Sequence, residues 1–125
     1  MKTTDQKKVL VLGASYRERV KELAFSGVFE IQNELQNYGY EVEIYDELFT
    51  DEELTTHGLT PQTSNNGTFG AVIIQNSSRE YKELFLDPGA WTNLVAIFDG
   101  RNLFGGKTPI KGIPLFGIGI KDENP

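Results

Sequence analysis

Val9-Leu10-Val11-Leu12 runs apolar without interruption and stops at Gly13. No other stretch constrains the fold as tightly. A strand with one wet face alternates polar and apolar residues, whereas an unbroken run needs cover on both faces, as a strand inside a parallel sheet has. Ala71-Val72-Ile73-Ile74 reads the same way, as does Leu94-Val95-Ala96-Ile97-Phe98, closed by Asp99. Leu115–Ile120 reads as a short fifth strand with glycines on alternate positions, where a neighbouring backbone can approach closely. Glu41-Val42-Glu43-Ile44-Tyr45-Asp46 instead alternates, which predicts a strand with one better covered face, near a sheet edge.

Between these runs the spacing becomes helical. Val28, Ile31, Leu35 and Tyr38 recur at steps of three and four, one face of an amphipathic helix, with Ser26 placed to cap its start and Gly39 its end. Thr50 with Glu53, and Ser77 with Glu80, have capping-box spacing. Gly58 is placed to stop the first of these helices, and His57 beside it suits a helix C-terminus better than catalysis. Thr60 to Gly67 reads as a surface loop, and Trp91 as an anchor under the loop at Pro88-Gly89. Strands alternating with helices imply right-handed crossovers and a three-layer α/β/α sandwich around a mostly parallel five-stranded sheet. A length of 125 residues suits one domain spanning 1–125, with 1–7 as a flexible N-terminal segment.

Composition removes several function classes. Twelve Lys and Arg against 18 Asp and Glu give a net charge of −6, which repels a phosphate backbone and argues against a nucleic-acid partner. With no cysteine there is no disulfide, no Cys-based zinc site and no thiol nucleophile, and a single histidine argues against a metal centre. No apolar run approaches the roughly 18 residues of a membrane span, and Met1–Lys8 lacks the apolar core of a signal peptide, so the expected setting is cytoplasmic, without membrane.

In parallel α/β sheets, ligands sit beyond the carboxyl ends of the strands. That rule selects Gly13 to Phe25, Gln75 to Ser78 and Asp99 to Phe104. In the first, Arg17, Arg19 and Lys21 put three of the 12 cations into five positions, where even spacing predicts about one half. Glu18 and Glu22 offset two of them, so a solvated, salt-bridged loop is one reading. A phosphate or pyrophosphate pocket at a helix start is the other. Gly13 lacks the second and third glycines of a dinucleotide-binding turn, and Asp46 lies 33 residues beyond it rather than about 20. A nucleotide held by a longer loop is expected, and an ordinary nicotinamide site is not. In Asp99-Gly100-Arg101-Asn102, Arg101 can reach over the sheet edge while Asp99 fixes its guanidinium or the loop backbone; a plain turn is the competing reading.

Lys8-Val9-Leu10-Val11-Leu12-Gly13-Ala14-Ser15-Tyr16-Arg17, the helix from Ser26, Glu41 to Asp46, Asp99 to Phe104 and Phe116-Gly117-Ile118-Gly119 together resemble the C-terminal, UDP-binding domain of the UDP-glucose/GDP-mannose dehydrogenase family. The resemblance implies an incomplete Rossmann-like fold. It also implies an NAD-dependent enzyme that oxidises the C6 alcohol of a UDP-sugar to a uronate, with this part supplying nucleotide contacts. Arg17 stands in the place of the family's lysine, Arg101 is the arginine that reaches the substrate, and Ser26 matches the serine opening the next helix. With Asp99, these are the expected substrate-binding residues, and Tyr16, Lys21 and Asn102 are accessory candidates. Catalytic cysteine and NAD-binding glycines belong to preceding domains in that family, so this chain is expected to hold no catalytic residue and to be inactive alone, whether excised or free-standing. Its expected partners are a UDP-sugar and the N-terminal and central dehydrogenase domains, with any homo-oligomer formed through them. A stand-alone interaction or regulatory module with a receiver-like fold is the alternative, although Gln75-Asn76 stand where a phosphoacceptor aspartate is needed.

Overall fold

A computed structural model of the chain describes residues 7–15, 27–76 and 80–117. Five strands, β1 (Lys8–Leu12), β2 (Glu41–Tyr45), β3 (Ala71–Ile74), β4 (Ala96–Asp99) and β5 (Leu115–Phe116), form one sheet in the order β2-β1-β3-β4-β5. Every neighbouring pair is parallel. In β1, Val9 and Val11 stand beside Val42 and Ile44 on one side and Ala71 and Ile73 on the other; Leu10 and Leu12 are level with Val72 and Ile74. Paired residues of parallel strands share a face, so the unbroken apolar run of β1 serves both cores.

On one face, Val11, Val42 and Ile44 pack with Val28 of α1 (Val28–Asn37), Leu54 of α2 (Asp51–Thr56) and Leu59. On the other, Leu10, Leu12, Val72, Ile74 and Ile97 pack under Tyr81 of α3 (Glu80–Glu83), Phe85, Trp91 and Leu94. Each such side chain contributes roughly 1.5–3 kcal/mol by leaving water. Trp91 is the expected anchor: its ring stacks on Phe85 at 4.9 Å and its Nε1–H donates to the Leu84 carbonyl at 2.9 Å. No helix among the described residues is long and apolar enough to cross a membrane.

Several local expectations hold. The capping box at Thr50 forms, with Glu53 N–H donating to Thr50 Oγ1 at 3.1 Å and Thr50 N–H to Glu53 Oε1 at 2.9 Å. Gly39 and Gly58 end their helices with φ of +92° and +85°. His57 is the C-cap of α2, its Nδ1 lying 2.9 Å from the Glu53 carbonyl oxygen.

Others are corrected. Tyr38, expected on the buried face of α1, is 77% exposed, because it lies at the helix C-cap beyond the last turn over the sheet. The interior position belongs to Gln32, whose Nε2 donates to the Gly58 carbonyl at 3.0 Å and whose Oε1 accepts from Thr60 N–H at 3.3 Å. Gly27 is the N-cap of α1, without a side-chain cap; Ser26, and likewise Ser77, lie outside the described residues. β4 begins at Ala96 rather than Leu94, and β5 covers Leu115–Phe116, with 118–120 outside the described residues.

The expected loop from Thr60 closes the sheet edge. Ile44 N–H donates to the Thr60 carbonyl at 2.8 Å and Gln62 N–H to the Ile44 carbonyl at 3.0 Å, so β2 is an edge strand whose outer rim is covered. Glu43 is buried for the same reason: its carboxylate accepts from the N–H groups of Thr63 and Ser64, both at 3.0 Å, and from Ser64 Oγ at 2.7 Å, and lies 3.5 Å from Lys8 Nζ. Among the described residues, the α1 side of β3 and β4 is less completely covered. An apolar groove of about 340 Å³ opens there, lined by residues that include Leu35, Tyr40, Ile73, Val95 and Phe98.

Candidate functional site

The chain passes from β1 to β2 on one side and then crosses to β3 on the other. Connections diverge between β1 and β3, and in open α/β sheets the crevice beyond the strand ends at such a point is where ligands bind. Gly13–Ser15, Asp46 and Gln75-Asn76 follow β1, β2 and β3 there, and Asp99, the last residue of β4, leads into Gly100–Phe104.

Asp46 ties down the first loop. Its side chain is buried, Oδ2 accepting from the N–H groups of Ala14 at 2.8 Å and Ser15 at 3.1 Å, and Oδ1 from Leu48 N–H at 2.9 Å. Spent on backbone donors, this carboxylate is not placed to take ribose hydroxyls. Gly13, at φ +108°, brings the loop against β3: a Cβ there would lie 2.7 Å from Asn76 Cγ, so no side chain fits without displacement. Asn76 Nδ2 in turn donates to Ser15 Oγ at 3.0 Å.

A second carboxylate builds the loop after β4. Asp99 is fully buried; Oδ1 accepts from Arg101 N–H at 3.3 Å and Leu103 N–H at 2.8 Å, and Oδ2 from Phe104 N–H at 2.9 Å. Charged acceptors make the stronger class of hydrogen bond, and several on one backbone segment fix its path. Gly100 donates its N–H to the Ile74 carbonyl at 3.1 Å, and a Cβ on it would meet that oxygen at 2.9 Å. Asn102 adopts the left-handed conformation with φ of 59°, as a turn asparagine can. At the far end, Phe104 packs edge-on against Phe85 at 5.5 Å, so the loop is fastened to the core at both ends.

The result is a positioned cation. Arg101 is exposed, and its Nε–H donates to the Gln75 carbonyl at 2.9 Å. With Nε turned to the end of β3, the guanidinium lies across two strand ends. Asp99, expected to fix the guanidinium or the loop backbone, holds the backbone: its buried carboxylate accepts from the N–H groups of the Arg101 loop. Asn102 is exposed on that loop. Arg17, Ser26, Tyr16 and Lys21 lie outside the described residues.

Two residues of this arrangement escape sequence reasoning in their actual roles. Asp46 resembles a ribose acid by position yet serves the loop, and Asn76 presents only the signal of a polar residue directly after a buried strand. Beside the missing glycines, Asp46, the first acid after β2, gives both carboxylate oxygens to backbone N–H groups. Among the described residues no group of three metal-ligating side chains forms.

Comparison with known proteins agrees with this architecture. Residues 10–106 match the UDP binding domain of the UDP-glucose/GDP-mannose dehydrogenase family. A UDP-N-acetyl-D-glucosamine 6-dehydrogenase of Pseudomonas aeruginosa is 27% identical over 82 residues, which are 64% of this chain and 19% of that protein. Among solved structures, a UDP-D-ManNAc dehydrogenase from Pyrococcus horikoshii superposes with a TM-score of 0.70 at 23% identity, covering 94% of this chain and 27% of that one. A UDP-N-acetyl-mannosamine dehydrogenase from S. aureus gives 0.64 at 22% identity, with 90% and 26% covered. At these identities the superpositions establish the fold, and the chain spans about a quarter or less of these relatives.

Proposed function

The chain belongs to the UDP-glucose/GDP-mannose dehydrogenase family, matching its UDP-binding domain, and from that premise we propose that it is the nucleotide-binding part of a UDP-sugar 6-dehydrogenase. In this reading the whole enzyme oxidises the C6 alcohol of a UDP-sugar to a uronate with NAD, and hydride transfer and the nucleophile belong to other domains. This chain binds and orients the nucleotide end of the substrate and does not turn it over alone.

The observation that carries the reading is the Asp99-built loop, which sets Arg101 against the end of β3 at the divergence of the strand connections. A guanidinium held by backbone loses little freedom when it meets an anion, and Arg is suited to oxygens of a diphosphate. Arg17 and Ser26, following β1, are proposed as further contacts, with Tyr16, Lys21 and Asn102 at the margin. A UDP-sugar is the proposed ligand, and the N-terminal and central dehydrogenase domains are the proposed protein partners. The whole chain, 1–125, acts in this reading as one domain.

Calorimetric titration of UDP into the chain tests it. UDP binds, and Arg101→Ala weakens binding by about tenfold, the loss of roughly 1.4 kcal/mol expected for one charge-assisted contact. Equal affinity of wild type and Arg101→Ala, or no binding of UDP to the wild type, contradicts the reading.

A further inference from the structure

Asn76 follows β3 and is 2% exposed. Its Nδ2 donates to Ser15 Oγ at 3.0 Å and lies 3.5 Å from the Ser15 carbonyl oxygen. A carbonyl can only accept, so this neighbour sets the amide with its nitrogen toward Ser15 and its oxygen on the other side of the group. That oxygen is buried and accepts no hydrogen bond among the described residues. Buried acceptors in native proteins are nearly always paired, and one that is not calls for a partner the protein itself does not provide. Its neighbour in sequence, Gln75, gives its carbonyl to Arg101 Nε. A held cation and an unsatisfied acceptor therefore belong to consecutive residues at the point where the strand connections diverge.

We propose that Asn76 is a specificity-determining residue of the nucleotide site, its Oδ1 accepting a hydrogen bond from a hydroxyl or N–H of a ligand whose phosphate lies against Arg101. The inference rests on the nucleotide-binding reading above and narrows it. An inorganic pyrophosphate satisfies Arg101 and leaves Asn76 unpaired, whereas a nucleoside diphosphate brings charge together with ribose hydroxyls and a base N–H. The oxygen is closed to solvent as the chain stands, so the ligand engages it by displacing its cover. The bond then forms in water-poor surroundings, where hydrogen bonds are strong and a missing donor is penalised most. Because the missing Cβ of Gly13 lets Asn76 stand against the first loop, the same amide couples that loop to the end of β3.

The test is titration of wild type and Asn76→Ala with UDP and, separately, with inorganic pyrophosphate. Thermal melting establishes that each variant is folded, and Asn76→Leu, closer in size, serves if the alanine variant is not. The variant binds UDP about tenfold more weakly, the loss of one buried hydrogen bond, while its pyrophosphate affinity stays within about twofold. UDP affinity unchanged by the substitution overturns the inference and leaves the nucleotide-binding reading standing. Equal weakening for both ligands also overturns it, because the amide then acts through the loop alone. A wild type that binds pyrophosphate and not UDP overturns the inference and the nucleotide-binding reading together.

Discussion

Asp46 follows β2 and Asp99 closes β4, and each is buried with its carboxylate given to backbone N–H groups. Removing one leaves several donors unsatisfied, so Asp99→Ala lowers stability by about 2–3 kcal/mol in urea unfolding. It also weakens UDP binding without touching the ligand, because the Arg101 loop loses its frame. Glu43 gives a residue-scale effect with a pH signature. Burial pushes its carboxyl up, but hydrogen bonds from Ser64 and Thr63 and the charge of Lys8 outweigh burial and hold it below the ordinary glutamate range. A carboxyl lowered in the folded chain contributes stability that is complete above its unfolded pKa of about 4.3 and is lost as pH falls through the folded value. Glu43→Gln is therefore less stable than wild type at pH 7, and the gap narrows toward pH 3 in urea titrations. A gap independent of pH contradicts this account. The Asp99 turn was legible because polar turn residues directly follow a buried strand. Glu43 was not: alternation made it a solvent-facing residue, and only the return of Thr63 and Ser64 across β2, a contact 20 residues away in sequence, covers it.

At the scale of elements, the unbroken apolar runs place β1, β3 and β4 inside the sheet, and the alternating run places β2 at its edge, as periodicity predicts. Observed burial gives a paired test at β4. Ile97 is fully buried, while Val95, just before the strand, is 47% exposed beside the apolar groove. Ile97→Ala costs about 3 kcal/mol of unfolding free energy, and Val95→Lys changes it by no more than about 0.5. Equal losses would mean that the groove is a sealed part of the core. Helix α1 shows where pattern stops being enough. Its apolar spacing predicts a helix but misplaces Tyr38, because which positions turn inward depends on what the helix meets, and Gln32 goes in because the backbone at Gly58 and Thr60 offers it both a carbonyl and an N–H.

For the whole molecule, the parallel order β2-β1-β3-β4-β5 converts scattered polar residues into one row along the carboxyl edge of the sheet. A net charge of −6 makes the setting of Arg101 more significant, since a guanidinium held by backbone is a local exception to an acidic surface. Family membership was legible in the order of elements and in the segment from Asp99 to Phe104; the contacts of Arg101 with Gln75 and of Asn76 with Ser15 were not, since they join strands 26 and 61 residues apart. The central claim is that nucleotide binds along this carboxyl edge. An amide-resolved NMR titration of the isotope-labelled chain with UDP tests it most directly. The account predicts shifts concentrated at Gly13–Ser15, Gln75-Asn76 and Gly100–Leu103, and nearly abolished in Arg101→Ala. Shifts centred on the groove at Val95 and Phe98, or shifts at the strand ends that persist unchanged in Arg101→Ala, contradict it.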